Sequence, residues 1–483
     1  MTEHRLFIAG GWEDGASWRE ILSPFSGKPV AKCAQASSEQ LERALAAAES
    51  AGKAFRKVSR FGRARLLALM ARGIEARRAE LVDAMVAEAG KPRTLADGEV
   101  GRAIVTFTIA SEEAKRLGGE IVPVDVDSGG RAYAPAVSHW APRGTVLAIA
   151  PFNFPLNLIA HKVAPALAVG ASVIVKPPPQ APGAARLLAE IFAEAAAEAS
   201  DAREKIPAAA LQVLSGPNDV VAKAVSDHRI SILSFTGSDK VGWLLQGQAT
   251  RKKVILELGG NAAVIIAADA DLARAAARCA FGGFAYAGQV CISVQRVLVH
   301  KDVAARFTEL LLAETKKIAC GDPARPETLV GPLIDAAAAD RVMSWIEESR
   351  RDGAKVLCGG ARAGNVIAPA VLTGVKPTAK LSCEEAFGPV VVLDSYGDLG
   401  EAIAAVNSSR FGLQAGLFTD GAAAIRRVSE ELEVGGLMVN EVPTYRADNM
   451  PYGGLKDSGL GREGVRYTME EYCERRTVVE WRG

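Results

Sequence analysis

From Thr145 onward the sequence alternates short apolar runs with helix-length segments, and this rhythm restricts the fold more than any other feature. The runs are Thr145 to Ala150, Ser172 to Val175, Leu211 to Leu214, Ile232 to Phe235 and Val254 to Leu258. Intervening stretches such as Leu156 to Ala168 and Gly183 to Ala197 are long enough for crossover helices, and strands joined in that way run parallel. The expectation is a doubly wound α/β sheet. Its strand ends and helix N-termini would line a crevice suited to a pyrophosphate.

A second alternating region starts near Gly259 and includes Ala263 to Ile266, Gln295 to Val299 and Val390 to Leu393. It predicts another α/β unit. Ser38 to Gly90 is dense in Ala, Leu, Glu and Arg with few breakers, which predicts packed helices. The 483 residues exceed what one core usually organises. Lys plus Arg number 57 against 56 for Asp plus Glu, so net charge gives no reason to expect nucleic acid or an anionic membrane. The start of the chain lacks a basic segment followed by an apolar run, and no later stretch is long and apolar enough to span a bilayer, so a cytoplasmic location is expected. Seven cysteines without a close pair argue against a disulfide framework, and the five histidines are too scattered to suggest a metal site.

Two residues point to covalent chemistry. Cys291 closes Phe281-Gly-Gly-Phe-Ala-Tyr-Ala-Gly-Gln-Val-Cys291, and Glu257 sits in Leu256-Glu257-Leu258-Gly259-Gly260. A thiol is the stronger nucleophile of such a pair, and a carboxylate can deprotonate the water that releases the product. Taken alone, a cysteine is more often a small buried hydrophobe. No strand is followed by Gly-x-Gly-x-x-Gly, so the usual dinucleotide fingerprint is absent. Phe235-Thr-Gly237-Ser238-Asp-Lys-Val241-Gly242 instead carries a strand into a helix through a glycine turn. It is equally a phosphate-binding turn and a plain connection.

Further motifs occur in order: Pro151-Phe152-Asn153-Phe154-Pro155, Lys176-Pro177, Glu384-Glu385-Ala386-Phe387-Gly388-Pro389 and Pro451-Tyr452-Gly453-Gly454-Leu455-Lys456-Asp457-Ser458-Gly459. Together with the segments around Glu257 and Cys291, this series resembles the aldehyde dehydrogenase superfamily over nearly the whole chain. The resemblance implies two doubly wound α/β domains and a small β oligomerisation element. It implies a dinucleotide-binding domain at 1–122 and 143–258, a catalytic domain at 259–462, and an oligomerisation element at 123–142 and 463–483. Tyr133 to Trp140 alternates weakly, as would an extended strand offering its edge to another subunit of a homodimer or homotetramer.

By the same resemblance, Cys291 is the nucleophile that forms a thiohemiacetal and then a thioester. Asn153, with the Cys291 amide, is the oxyanion donor, a contribution of roughly 3–4 kcal/mol per donor; read alone, Asn153 is a turn residue between two prolines. Glu257 is the base for thioester hydrolysis, and Lys162 is either a proton relay or a structural cation. The implied cofactor is NAD or NADP, held by Pro151, Phe152, Lys176, Gly237, Ser238, Val241, Gly242, Leu258, Glu385 and Phe387.

The segments around His161, Cys291 and Arg446 are most similar to lactaldehyde dehydrogenase-like members and their non-phosphorylating glyceraldehyde-3-phosphate dehydrogenase neighbours. That implies a small hydroxylated or anionic aldehyde, with Arg102, Phe154 and Arg446 contacting it. The arginines could instead pair with nearby carboxylates. A coenzyme-A-acylating enzyme and a catalytically silent protein of the same fold are the alternatives, and the presence of Cys291, Glu257 and Asn153 argues against the silent one.

One position departs from strongly NAD-selective relatives, which often carry a glutamate three residues after the lysine matched by Lys176. Here that position is Pro179, followed by Gln180. Two unit charges about 5 Å apart at an effective dielectric of about 20 interact by roughly 3 kcal/mol, so a carboxylate there would disfavour a 2′-phosphate about a hundredfold. NADP is therefore expected to serve the wild-type protein, and Pro179→Glu to move the ratio of specificity constants toward NAD. Steady-state kinetics with both cofactors checks this, and an unchanged ratio in a folded variant rejects it.

Overall fold

The computed structural model describes residues 1–482. The five apolar runs form neighbouring parallel strands in the spatial order Lys253–Glu257, Ile230–Thr236, Thr145–Ile149, Val173–Lys176, Leu211–Val213. The chain thus winds outward from Thr145–Ile149 in one direction, returns, and winds outward in the other. Such a reversal opens a crevice between diverging connections. Antiparallel strands extend both edges: Leu6–Ile8 and Gly11–Glu13 beyond Leu211–Val213, and Gly459–Leu460 beyond Lys253–Glu257.

Alternate strand residues face opposite sides, and both sides are covered. Val146, Ala148 and Val175 join a core with Leu66 and Leu67 of helix Arg60–Ala76 and Leu187 and Leu188 of helix Gly183–Ala199. Leu147, Ile149 and Ile174 join another with Leu41 and Leu45 of helix Ser38–Phe55 and Val220 and Val221 of helix Asn218–Ser226. Each Val, Leu or Ile among them contributes about 1.5–3 kcal/mol on burial, which is why these strands are apolar at nearly every position. The expected N-terminal helices form between clear local signals. Ser37 and Gln40 make a reciprocal capping box at the first, and Gly90 ends the helix Arg78–Ala89 in the left-handed region at φ 61°.

The later alternating region makes a seven-stranded sheet in the order Lys355–Cys358, Ala370–Thr373, Val390–Tyr396, Val294–His300, Ala262–Ile266, Gln414–Phe418, Gly436–Val439. All neighbours are parallel except the first pair. Val264, Ile266, Val297 and Val299 face one core, and Ala263, Ile265 and Leu298 face the other. This sheet too is buried on both sides.

A small third sheet has the order Cys473–Val478, Ala136–Pro142, Gly119–Val122. Here the structure differs from expectation: the segment ending at Trp140 is the middle strand, not an edge. The tail pairs along one side from Cys473 opposite Pro142 to Val478 opposite Val137, while Gly119–Val122 pairs along the other. Weak alternation reported which side chains are exposed, and exposure carries no information about whether the backbone is already paired. The open edges belong to Gly119–Val122 and Cys473–Val478. Among the described residues, no helix is long and apolar enough to cross a membrane.

Candidate active site

The site collects where the carboxyl ends of the first sheet meet the amino ends of the second. Glu257 ends the strand Lys253–Glu257, Cys291 precedes Val294–His300, and Glu385 and Phe387 precede Val390–Tyr396. A cleft of about 340 Å³ is lined by Cys291, Asn153 and Glu257, by Pro151, Phe152, Gly237, Ser238, Leu258, Glu385 and Phe387, and by Arg102, Phe154 and Arg446. Lys176, Val241 and Gly242 lie outside that lining. Lys176 ends the strand Val173–Lys176, Val241 is exposed on helix Asp239–Gln248, and Gly242 packs where a Cβ would sit 2.4 Å from Leu258 Cδ2.

The backbone that delivers Cys291 is unusual. Tyr286, Ala287 and Gly288 are all left-handed, with φ of 54°, 54° and 69°, a conformation costing about 1–3 kcal/mol per non-glycine residue. A Cβ at position 288 would lie 2.2 Å from the Gly388 carbonyl oxygen, so only glycine completes this turn. Cys291 Sγ then lies 3.1 Å from Tyr452 Oη. Burial pushes the thiol up to about 12, with the Tyr452 hydrogen bond opposing that rise.

Asn153 is buried between the Thr145–Ile149 strand and helix Asn157–Val169. Its Nδ2 donates to the Gln289 carbonyl at 3.0 Å, and its Oδ1 accepts from the Phe154 amide at 3.1 Å. The second N–H of the carboxamide is left over. The loop is held by a buried pair that sequence reading did not find. Lys91 Nζ donates to Glu99 at 2.5 Å and to the Asn153 carbonyl at 2.8 Å, and stands 3.5 Å from the centre of the Phe154 ring. Glu99 Oε1 accepts from the amides of Leu156 and Asn157 at 2.8 and 2.9 Å, so it caps the helix that follows.

Glu257 is 2% exposed, and neither carboxyl oxygen has a hydrogen-bond partner. Burial, reinforced by the charge of Glu463, raises its pKa well above the usual carboxylate range. Burial also pushes Glu463 up, but Lys162 and Arg446 outweigh it and hold that carboxyl down at about 2. Lys162 Nζ donates to Glu463 Oε1 at 2.8 Å, and Arg446 donates to Glu463 Oε2 at 3.2 Å. Arg102 donates to Asp448 at 2.7 and 3.2 Å, and Asp448 also bonds His161 and Asn157. Both arginines therefore have carboxylate partners, yet Arg446 Nε is buried without one. Asp448, Glu463, Lys91 and Glu99 meet the site only through long-range contacts, which no local motif announces.

The cleft fits a dinucleotide on its own chemistry. Ser238 starts helix Asp239–Gln248 without spending its hydroxyl on a cap, and Thr236 Oγ1 is buried without a partner. At Gly237 a Cβ would meet the Phe235 ring at 2.6 Å, so the turn stays open toward the cleft. A free hydroxyl and a helix N-terminus are what a phosphate requires.

The aldehyde dehydrogenase family model matches residues 12–478. A 3-sulfolactaldehyde dehydrogenase of Priestia aryabhattai is 39% identical over 99% of this chain and 98% of its own. A lactaldehyde dehydrogenase of Methanococcus maripaludis is 37% identical over 98% of this chain and 99% of its own. Among solved structures, glyceraldehyde-3-phosphate dehydrogenase GapN of Methanocaldococcus jannaschii, complexed with NADP, superposes with a TM-score of 0.91 at 35% identity, covering 96% of this chain and 98% of that one. Aldehyde dehydrogenase 21 of Physcomitrella patens, in complex with the product succinate, gives 0.95 at 36% identity, covering 100% and 98%. The chain belongs to the aldehyde dehydrogenase family. It is an oxidoreductase that oxidises an aldehyde with NAD or NADP.

Because Lys91 and Glu99 are fully enclosed, removing one charge strands the other. Lys91→Met should cost about 3–5 kcal/mol of stability, read by equilibrium urea unfolding. Adding Glu99→Gln to it should recover part of the loss, and additive losses would show that the two charges do not depend on each other.

Proposed function

We propose that this chain oxidises a small hydroxylated or anionic aldehyde to its carboxylic acid through a covalent adduct on Cys291. The observation that carries this reading is the meeting of the Cys291 thiol, the Asn153 carboxamide and the unpaired Glu257 carboxyl in one cleft. The Cys291 thiolate adds to the carbonyl carbon, and the oxyanion of the resulting thiohemiacetal accepts from the spare Asn153 N–H and the Cys291 amide. NAD or NADP, when bound, would supply the hydride acceptor for oxidation of this adduct to the thioester. The cleft residues Pro151, Phe152, Gly237, Ser238, Leu258, Glu385 and Phe387 would hold it, with Lys176, Val241 and Gly242 flanking.

Glu257 then takes a proton from water as the water oxygen attacks the thioester carbon, and collapse of that adduct releases the acid and the Cys291 thiolate. Both carboxyl oxygens are free to meet that water. Burial that disfavours the ionised form makes the ionised form a stronger base. Turnover should accordingly fall as pH is lowered through the raised pKa of Glu257.

Arg102 and Arg446 support an anionic substrate end. They line the cleft with Phe154, and the Arg102 guanidinium lies 5.9 Å from the Phe154 ring centre. The aldehyde named for the Priestia relative bears both a hydroxyl and a sulfonate, the combination these groups would recognise. Assembly would use the open edges of the small sheet, where Ile121 is 76% and Val478 57% exposed.

Cys291→Ala should remove several powers of ten of turnover, and retention of more than about a tenth would overturn the nucleophile assignment. Glu257→Gln should still acylate, giving a burst near one equivalent of reduced cofactor per site and an acyl adduct visible by intact mass. Absence of both the burst and the adduct, with normal steady-state turnover, would remove Glu257 from the mechanism. Arg102→Leu should lower kcat/KM for sulfonate, phosphate or carboxylate aldehydes far more than for lactaldehyde; an equal loss on both would mean a structural role.

A further inference from the structure

Tyr452 has no role in the chemistry above, although it touches the reacting atom. Its hydroxyl is 3.1 Å from Cys291 Sγ and makes no other hydrogen bond among the described residues. The side chain is 3% exposed and packs with Ile292 and Leu413. Its backbone is fixed by reciprocal bonds with Glu463, 3.0 and 2.7 Å long. Phenylalanine would fill the same apolar space without burying a hydroxyl, which is costly unless the hydroxyl is bonded. The sulfur is the partner that offsets this cost.

The charged groups facing Cys291 are Glu257 from the strand Lys253–Glu257, Glu385 from the loop before Val390–Tyr396, and Arg446 from the loop after Gly436–Val439. Two carboxylates and burial oppose a negative sulfur. Arg446 opposes them from behind Tyr452, its guanidinium 3.8 Å from the ring centre. A cation over the ring draws electron density from it and makes the O–H a better donor. Once the thiol proton has left, sulfur can only accept, so the shared contact has one direction: Oη–H donates to Sγ.

We propose that Tyr452 is a catalytic residue, donating a hydrogen bond that favours the Cys291 thiolate over the thiol and aims it into the cleft, with Arg446 strengthening that donor. Tyr452 keeps its proton throughout. The proposal rests on Cys291 being the nucleophile, so the test reads the thiolate itself rather than aldehyde turnover.

The protein is treated with iodoacetamide between pH 6.5 and 9.5, and Cys291 labelling is followed by peptide mass spectrometry. In this reaction the Cys291 sulfur forms a bond to carbon and iodide leaves. A charge-assisted hydrogen bond worth about one pKa unit gives tenfold more thiolate, about threefold of which is lost again to lower nucleophilicity. Tyr452→Phe should therefore be labelled about threefold more slowly at every pH, with its melting temperature and NADP dissociation constant unchanged. Labelling as fast as wild type, or faster, overturns the proposal. If Tyr452→Phe loses cofactor binding or stability, 3-fluorotyrosine in place of Tyr452 keeps ring and hydroxyl with a more acidic donor; faster labelling supports the proposal and an unchanged rate overturns it. Turnover retained by Cys291→Ala would refute the nucleophile reading separately.

Discussion

Everything at the site depends on how closely two sheets can be brought together by the short link Leu258–Asn261. The last parallel strand of the first sheet ends at Glu257, and the first strand of the second begins at Ala262. Two glycines make the approach possible. A Cβ on Gly259 would sit 2.4 Å from the Glu385 carboxyl, and one on Gly260 2.5 Å from the Cys291 carbonyl oxygen. The absent side chains at 259 and 260 are what allow a carboxylate from one sheet and a thiol from the other to share a cleft.

Within that cleft the charges are sorted by their neighbours. Glu257 and Glu463 are both buried, yet Glu257 is pushed up by desolvation and by Glu463, whereas Lys162 and Arg446 hold Glu463 ionised. Adjacent carboxyls driven apart in this way can take different protonation states at one pH. Asp448 and Glu463 also anchor the arginines, so the cationic rim is built from ion pairs rather than from free side chains. Both guanidinium groups are thereby held in fixed orientations, and only the Nε of Arg446 is buried without a partner.

The sequence made the parallel strands legible because burial on both faces leaves an uninterrupted apolar run, as in Thr145 to Ala150. Cys291, Glu257 and Asn153 became candidates through the ordered motifs that resemble the family, and the fold sets all three on one cleft. The partners of those residues left no such trace. Lys91 reads as a helix-end lysine, and Glu99 reads as one carboxylate of a polar helix; only the fold reveals that they grip the Asn153 loop. The edge role expected of Tyr133 to Trp140 failed because local alternation does not report backbone pairing, and the strand that takes one side comes from the 463–483 segment that the resemblance had grouped with it. The rule that ligands sit at strand carboxyl ends accounts for Glu257 but not for Cys291 or Glu385, which come from amino ends of the second sheet.

The last stretch of chain has a consequence for how the molecule is made. Gly459–Leu460 supplies an edge of the first sheet, and Val465, Met469 and Tyr472 enter the same core as Val146 and Leu187. Residues near opposite ends of the polypeptide must therefore meet before that core closes. During synthesis the N-terminal half emerges with one sheet edge bare and a groove in its core unfilled until residues 459–472 follow. Contacts so distant in sequence slow closure and leave the nascent chain prone to aggregation, so residues 459–472 act as the clasp whose arrival ends that vulnerable interval.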